Sequence, residues 1–127
     1  MRRREIARLY DKGLAGAPAA LPVTPPGYEH VYHLYVIDSE DRDGLQAYLD
    51  SKGITALTHY PIAIHQQEGF PWGRPARVTA LPVTENSAAS VLSLPMYAEL
   101  TDEEVERVIE DVLSWTANRE ALSQRAV

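Results

Sequence analysis

Gly53-Ile-Thr-Ala-Leu-Thr-His59-Tyr60-Pro61-Ile-Ala-Ile-His65-Gln66 decides how the rest of the chain is read. It opens as an apolar run, breaks at Pro61, and crowds His59, Tyr60, His65 and Gln66 around the break. Polar side chains at the exit of a strand are held by a rigid element and brought together by a loop, a common arrangement for binding residues. The plainer reading makes Tyr60 and one histidine half-buried packing residues whose polar tips reach water. Spacing alone favours that plainer reading.

Upstream, Asp41 or Ser39 can cap a helix from about Arg42 to Lys52, with Leu45, Tyr48 and Leu49 facing inward. Lys52, Gly53 and Ile54 then form a glycine C-cap with its hydrophobic contact. Before that helix, residues 30–37 (His-Val-Tyr-His-Leu-Tyr-Val-Ile) are almost wholly aliphatic, aromatic or β-branched. Such a run predicts a central strand covered on both faces. Strand, helix and strand (54–60) with short joints predict a βαβ crossover.

Further upstream, residues 16–28 hold four prolines and two glycines, which makes them a stiff, extended connector. Arg2 to Leu14 places Ile6, Leu9, Tyr10 and Leu14 on one helical stripe, with Gly13 or Gly16 available as a stop. Its start is uncapped, and three arginines oppose the positive end of the helix dipole. That start reads as the back half of a longer helix.

Downstream, residues 66–77 form an irregular loop. Thr84 caps a short helix to about Ser90, and residues 91–96 make a short strand. The pentapeptide Ala-Leu-Pro-Val-Thr recurs at 20–24 and 80–84, but its flanks differ, so it is no structural repeat. Thr101-Asp-Glu-Glu104 is a capping box. Behind it, Val105, Val108, Ile109, Val112 and Thr116 fall on one helical face, with Leu113 and Trp115 flanking. Beyond Asn118 the tail is polar and expected to fray. The expected fold is α+β: a small three- to four-stranded sheet with helices on one face, a long N-terminal helix and an amphipathic C-terminal helix. One domain spans 1–127, divided into helix (1–15), connector (16–28), body (29–118) and tail (119–127).

Composition narrows the function. A net charge of −6 argues against a nucleic-acid or anionic-membrane surface, and Arg2, Arg3 and Arg4 form a weak basic patch. No cysteine means no disulfide frame and no thiol chemistry. No apolar run suits a membrane span or a signal peptide, which points to a cytoplasmic protein. His30, His33, His59 and His65 could supply imidazole to zinc, but their spacing matches no compact motif, and no metal site is expected. There is no nucleophile elbow and no glycine-rich phosphate loop. The two lysines, Lys12 and Lys52, sit in last helical turns where an amine is solvated, so no catalytic residue is assigned and the isolated chain is expected to be inactive.

Several pieces, in order, carry a family resemblance. They are Arg-Arg-Arg-Glu-Ile-Ala-Arg-Leu-Tyr-Asp at 2–11, Val-Tyr-His-Leu-Tyr-Val-Ile at 31–37, and Arg42-Asp43 followed by Leu49 and Gly53-Ile54-Thr55. His59-Tyr60-Pro61 with His65-Gln66, then Leu-Pro-Val-Thr-Glu at 81–85 and Leu-Ser-Leu-Pro-Met-Tyr at 92–97, complete the set. Together they resemble the C-terminal small domain of the DegT/DnrJ-type sugar aminotransferases, pyridoxal-phosphate enzymes of fold type I. The resemblance implies a homodimer that converts a keto-sugar nucleotide to an amino sugar, with glutamate or glutamine as amino donor. It also implies that His59, Tyr60 and His65 border the substrate entrance, His65 foremost, with His33 and Gln66 as further candidates. The family's cofactor domain, with its Schiff-base lysine, should precede Arg2. The expectation is therefore a portion of such an enzyme that binds no pyridoxal phosphate alone, needs a cofactor domain or companion chain, and self-associates through exposed apolar surface. A free-standing binding module that kept the fold and lost the reaction is the alternative.

Overall fold

The computed structural model describes residues 2–70 and 80–125, with side chains at all of these except 118 and 120–125. Among them run α1 (Arg2–Gly13), β1 (Tyr35–Asp38), α2 (Arg42–Ser51), a 3₁₀ turn (Ile64–Gln66), α3 (Pro82–Ser90), β2 (Val91–Leu94) and α4 (Asp102–Arg125).

The α+β architecture is as expected, but the sheet is smaller. Its two strands, β1 and β2, pair antiparallel with Tyr35 opposite Leu94 and Asp38 opposite Val91. A single bridge extends it on each side: Ala20 joins Asp38, and Leu57 joins Ser93. The segment 54–60 is therefore one bridge rather than a strand. Because Leu57 and β1 both run antiparallel to β2, they are parallel to each other, with β2 inserted between them. The expected crossover through α2 thus ends on a single bridge, with β2 between its two arms, and not on a second strand.

The strand expected over 30–37 begins only at Tyr35. Tyr32 takes a left-handed φ of 50°, and its N–H donates to His30 Nδ1 at 2.9 Å. A side-chain acceptor for that backbone donor replaces the ladder bond a strand would need. His30 and His33 thus precede the strand instead of alternating across it. Coverage on both faces is also incomplete: Tyr35 and Ile37 are fully buried, while Val36 is half-buried.

Helix ends follow the sequence closely. Asp41 caps α2 by accepting from the Gly44 N–H at 3.1 Å. At its other end the Gly53 N–H bonds Asp50 O and the Ile54 N–H bonds Leu49 O, both at 2.9 Å, with Gly53 at φ +74°. That pair of bonds is a Schellman motif, and glycine accepts the positive φ without Cβ strain. The capping box of α4 closes both ways: Thr101 N–H to Glu104 at 2.9 Å, and Glu104 N–H to the Thr101 hydroxyl at 3.2 Å. Two boundaries differ. α3 starts at Pro82, so Thr84 lies inside the helix, and Glu85 takes the capping role by accepting from the Leu81 N–H. α4 continues to Arg125, beyond Asn118.

The core joins Ile6 and Tyr10 of α1 with Leu14 just after it, Leu45 and Leu49 of α2, and Val105, Val108 and Val112 of α4 to the inner face of the sheet. Tyr10 and Tyr35 are fully buried, with rings 4.9 Å apart. Their hydroxyls donate to Pro95 O and to Asp11 at 2.9 and 2.7 Å, which removes the cost of burying an unpaired polar group. Burial pushes both phenols above their ordinary range.

The uncapped arginine run has a structural use. Arg2 bonds Leu100 O and Asp102, Arg3 reaches the carbonyls of Tyr32, His33 and Met96, and Arg4 bonds His30 O and Glu29. The start of α1 therefore clamps the chain entering β1, the chain leaving β2, and the start of α4.

Candidate functional site

The segment after Leu57 is fixed residue by residue. Leu57 is anchored by exchanging both backbone bonds with Ser93, at 3.1 and 2.8 Å. Thr58 accepts from Arg42 Nη1 at 3.1 Å. His59 Nδ1 lies 2.9 Å from the hydroxyl of buried Ser93. The peptide between His59 and Tyr60 is cis. Tyr60 packs edge-on against His59, with centroids 5.6 Å apart, and leaves the rest of its ring in solvent.

Beyond Pro61 the chain bends into the 3₁₀ turn and approaches α3. His65 donates from Nε2 to Glu85 Oε1 at 2.8 Å, and the same oxygen accepts the Leu81 N–H at 3.0 Å. The Leu81 N–H, then His65, hold the Glu85 carboxyl below its ordinary value, since both favour the ionised form. This link pins the turn to the start of α3.

Between the turn, α3 and the outer face of the sheet lies a groove of about 400 Å³. His59, Tyr60, Val36 and Val91 line it, and Thr84 and Ser87 of α3 add hydroxyls. Its rim is apolar and open: Tyr60 is 74% exposed, Ile62 53%, Ile64 65% and Val83 79%. Neighbouring exposed apolar residues of this kind mark an interaction or ligand surface on a soluble fold. The groove joins a few fixed polar groups to an apolar wall, the general makeup of a small-molecule site.

The candidates separate accordingly. His59 and Tyr60 line the groove; His65 lies beside it with its side chain only 10% exposed and engaged by Glu85; Gln66 is exposed at the end of the turn. His33 is not brought there: it sits before β1, with its carbonyl bonded to Arg3. Among the described residues no three His, Asp or Glu side chains gather where they could hold a metal ion, and no helix is long and apolar enough to cross a membrane.

Three participants were not singled out from the sequence. Ser93 holds His59, Glu85 holds His65, and buried Arg42 links Thr58 to the carbonyls of Ala88 and Val91, each at 3.4 Å. Arg42 left a trace: an arginine in the first turn of a helix opposes the dipole, so its charge must be used elsewhere. The positions of Ser93 and Glu85 depend on how distant segments meet.

Four helices beside a small antiparallel sheet form an α+β fold that matches part of the fold of solved sugar aminotransferases. Residues 1–113 match the DegT/DnrJ/EryC1/StrS aminotransferase family, and the chain belongs to it. It is 41% identical over 115 residues to the dTDP-3-amino-3,4,6-trideoxy-alpha-D-glucose transaminase of Streptomyces venezuelae, covering 90% of this chain and 30% of that protein. It is also 41% identical over 106 residues to the UDP-N-acetyl-3-dehydro-alpha-D-glucosamine 3-aminotransferase of Acidithiobacillus ferrooxidans, covering 84% and 28%. Among solved structures it superposes on S. venezuelae DesV in complex with a ketimine intermediate with a TM-score of 0.84 and 40% identity, covering 91% of this chain and 31% of that one. A DegT/DnrJ/EryC1/StrS aminotransferase from Brucella abortus gives 0.81 and 30% identity, covering 91% and 30%. The chain thus spans about 30% of the length of these relatives.

Proposed function

We propose that this chain is the C-terminal portion of a pyridoxal-phosphate-dependent nucleotide-sugar aminotransferase, acting in the cytoplasm as part of a homodimer. It supplies substrate-side contacts, while a cofactor domain or companion chain carries the reaction. The observation behind this reading is the groove: a polar group fixed by His59's bond to Ser93 among its lining residues, and an apolar rim left open where a second surface would sit. His59 and Tyr60 make the direct contacts with the nucleotide sugar. His59 has a ring nitrogen held on Ser93, so its orientation is set before substrate arrives. Tyr60 offers an exposed ring for stacking and a hydroxyl for an oxygen-rich ligand. His65 and Gln66 border the entrance, with His65 holding the turn in place through Glu85.

The residues of this chain do not fit the cofactor itself. Pyridoxal phosphate supplies an aldehyde that draws electrons from the amino group it captures, and the family holds it on a lysine. Lys12 is exposed near the end of α1 and Lys52 just after α2, over the ring of Tyr48, and neither lines the groove. No step through the cofactor is therefore assigned to this chain.

The test is complementation. The purified chain is mixed with pyridoxal phosphate, glutamate and a keto-sugar nucleotide, with and without a separately produced cofactor domain from a close relative. Amino transfer only in the mixture, with the Michaelis constant raised by Tyr60→Ala, is the expected result. Transfer by the chain alone would overturn it, and a chain that never engages the cofactor domain would favour an independent binding module.

A further inference from the structure

A second cavity, of about 200 Å³, lies between α1 and the end of the proline-rich connector and shares no lining residue with the groove. Its walls are Arg4, Arg8, Thr24, Glu29, His30 and Tyr32. Arg4 and Arg8 are one helical turn apart and so present their guanidinium groups on the same side of α1. Their duties differ. Arg4 is committed to Glu29 at 2.8 Å and to the His30 carbonyl at 3.1 Å. Arg8 makes no hydrogen bond or ion pair with another described residue, so among the described residues its charge is uncommitted.

His30 adds a donor whose identity the backbone fixes. Its Nδ1 accepts the Tyr32 N–H at 2.9 Å, so in the neutral ring the proton sits on Nε2 and is left to donate. The hydroxyls of Thr24 and Tyr32, 3.5 Å apart, complete the wall. Two guanidinium groups against one carboxylate leave the cavity positive in a chain whose net charge is −6. We propose that this cavity is an oxyanion subsite that takes a phosphate group, with Arg8 as the principal charge partner and the His30 Nε2–H and paired hydroxyls as orienting donors. A guanidinium meets phosphate oxygens with two parallel N–H groups, which gives geometry as well as charge. This inference goes beyond the aminotransferase reading and stands without it.

The test titrates the isotope-labelled full chain with sodium phosphate by NMR, at fixed pH and at an ionic strength held constant with sodium chloride. Saturable shifts confined to the His30 ring and the backbone around Tyr32, with the rings of His33, His59 and His65 unmoved, are expected. Arg8→Gln should weaken the apparent affinity by about tenfold or more, equivalent to roughly 1.4 kcal/mol. Lys12→Gln removes the same charge from the same helix without touching the cavity and should change it less than about twofold, as a screened surface charge does. A nucleoside diphosphate that moves the same signals at lower concentration would identify the source as a nucleotide; equal potency would identify free phosphate. Equal weakening by both variants would reduce the effect to diffuse charge and overturn the proposal. So would acetate acting as strongly as phosphate, or shifts that never saturate.

Discussion

On one side of the β1–β2 pair, Tyr35, Ile37, Leu92 and Leu94 are buried among α1, α2 and α4. On the other, Val36 lines a groove whose rim residues Tyr60, Ile62, Ile64 and Val83 stay open to solvent. The first side is closed by apolar contact and by backbone caps; the second is tied by the Leu57–Ser93 backbone bonds and by side-chain links from His59 to Ser93, His65 to Glu85 and Arg42 to Thr58. The closed side explains why the chain folds. The open side keeps apolar surface that folding leaves exposed, and there function is to be sought.

The contrast can be broken by substitution. Leu92→Ala, at a fully buried position, should cost about 2–5 kcal/mol, whereas Ile62→Ala on the rim should shift stability by less than about 0.5 kcal/mol. Urea unfolding with an unchanged slope checks both. Arg3→Ala strips a donor from three carbonyls at the junction of α1, β1 and β2, and should cost about 1–3 kcal/mol in the same measurement. Thr101→Ala opens the capping box and should cost about 1 kcal/mol.

Glu85 sharpens the comparison through pH. Its carboxyl is held below the ordinary value of 4.5 in the folded chain, so the stability it contributes is present above that value and lost as pH falls through the lowered one. Glu85→Gln should therefore flatten the acid side of the stability profile and leave the Leu92→Ala penalty unchanged. The smallest effect on folding is expected for Ile62→Ser, which should reduce self-association in sedimentation experiments while barely changing the unfolding midpoint.

The closed side was largely legible in the sequence because its signals are local. Asp41, the Lys52-Gly53-Ile54 cap, the Thr101–Glu104 box and the stripes of α1 and α4 each depend on residues within a turn or two. Strand boundaries were less legible, because β pairing joins residues far apart. The apolar run at 30–37 could not reveal that His30 would take the Tyr32 amide and delay the strand to Tyr35. Nor could the strand–helix–strand pattern show that β2, from near the far end of the chain, would insert between its two arms. The candidate site was half legible. His59 and Tyr60 stood out beside the break at Pro61, but Ser93, Arg42 and Glu85 are 34, 16 and 20 residues from His59, Thr58 and His65, the residues they hold. His33, a candidate through the family resemblance, precedes β1 and does not line the groove, since the delayed strand start keeps it beside Arg3.

The most direct measurement is amide hydrogen exchange of this chain with and without a separately produced cofactor domain from a close relative. Added protection concentrated at 57–66 and along α3, with the amides of α4 unchanged, is the expected result. Protection on the α4 face instead, or none anywhere, would contradict the assignment of the open groove as the surface this chain presents to its reaction.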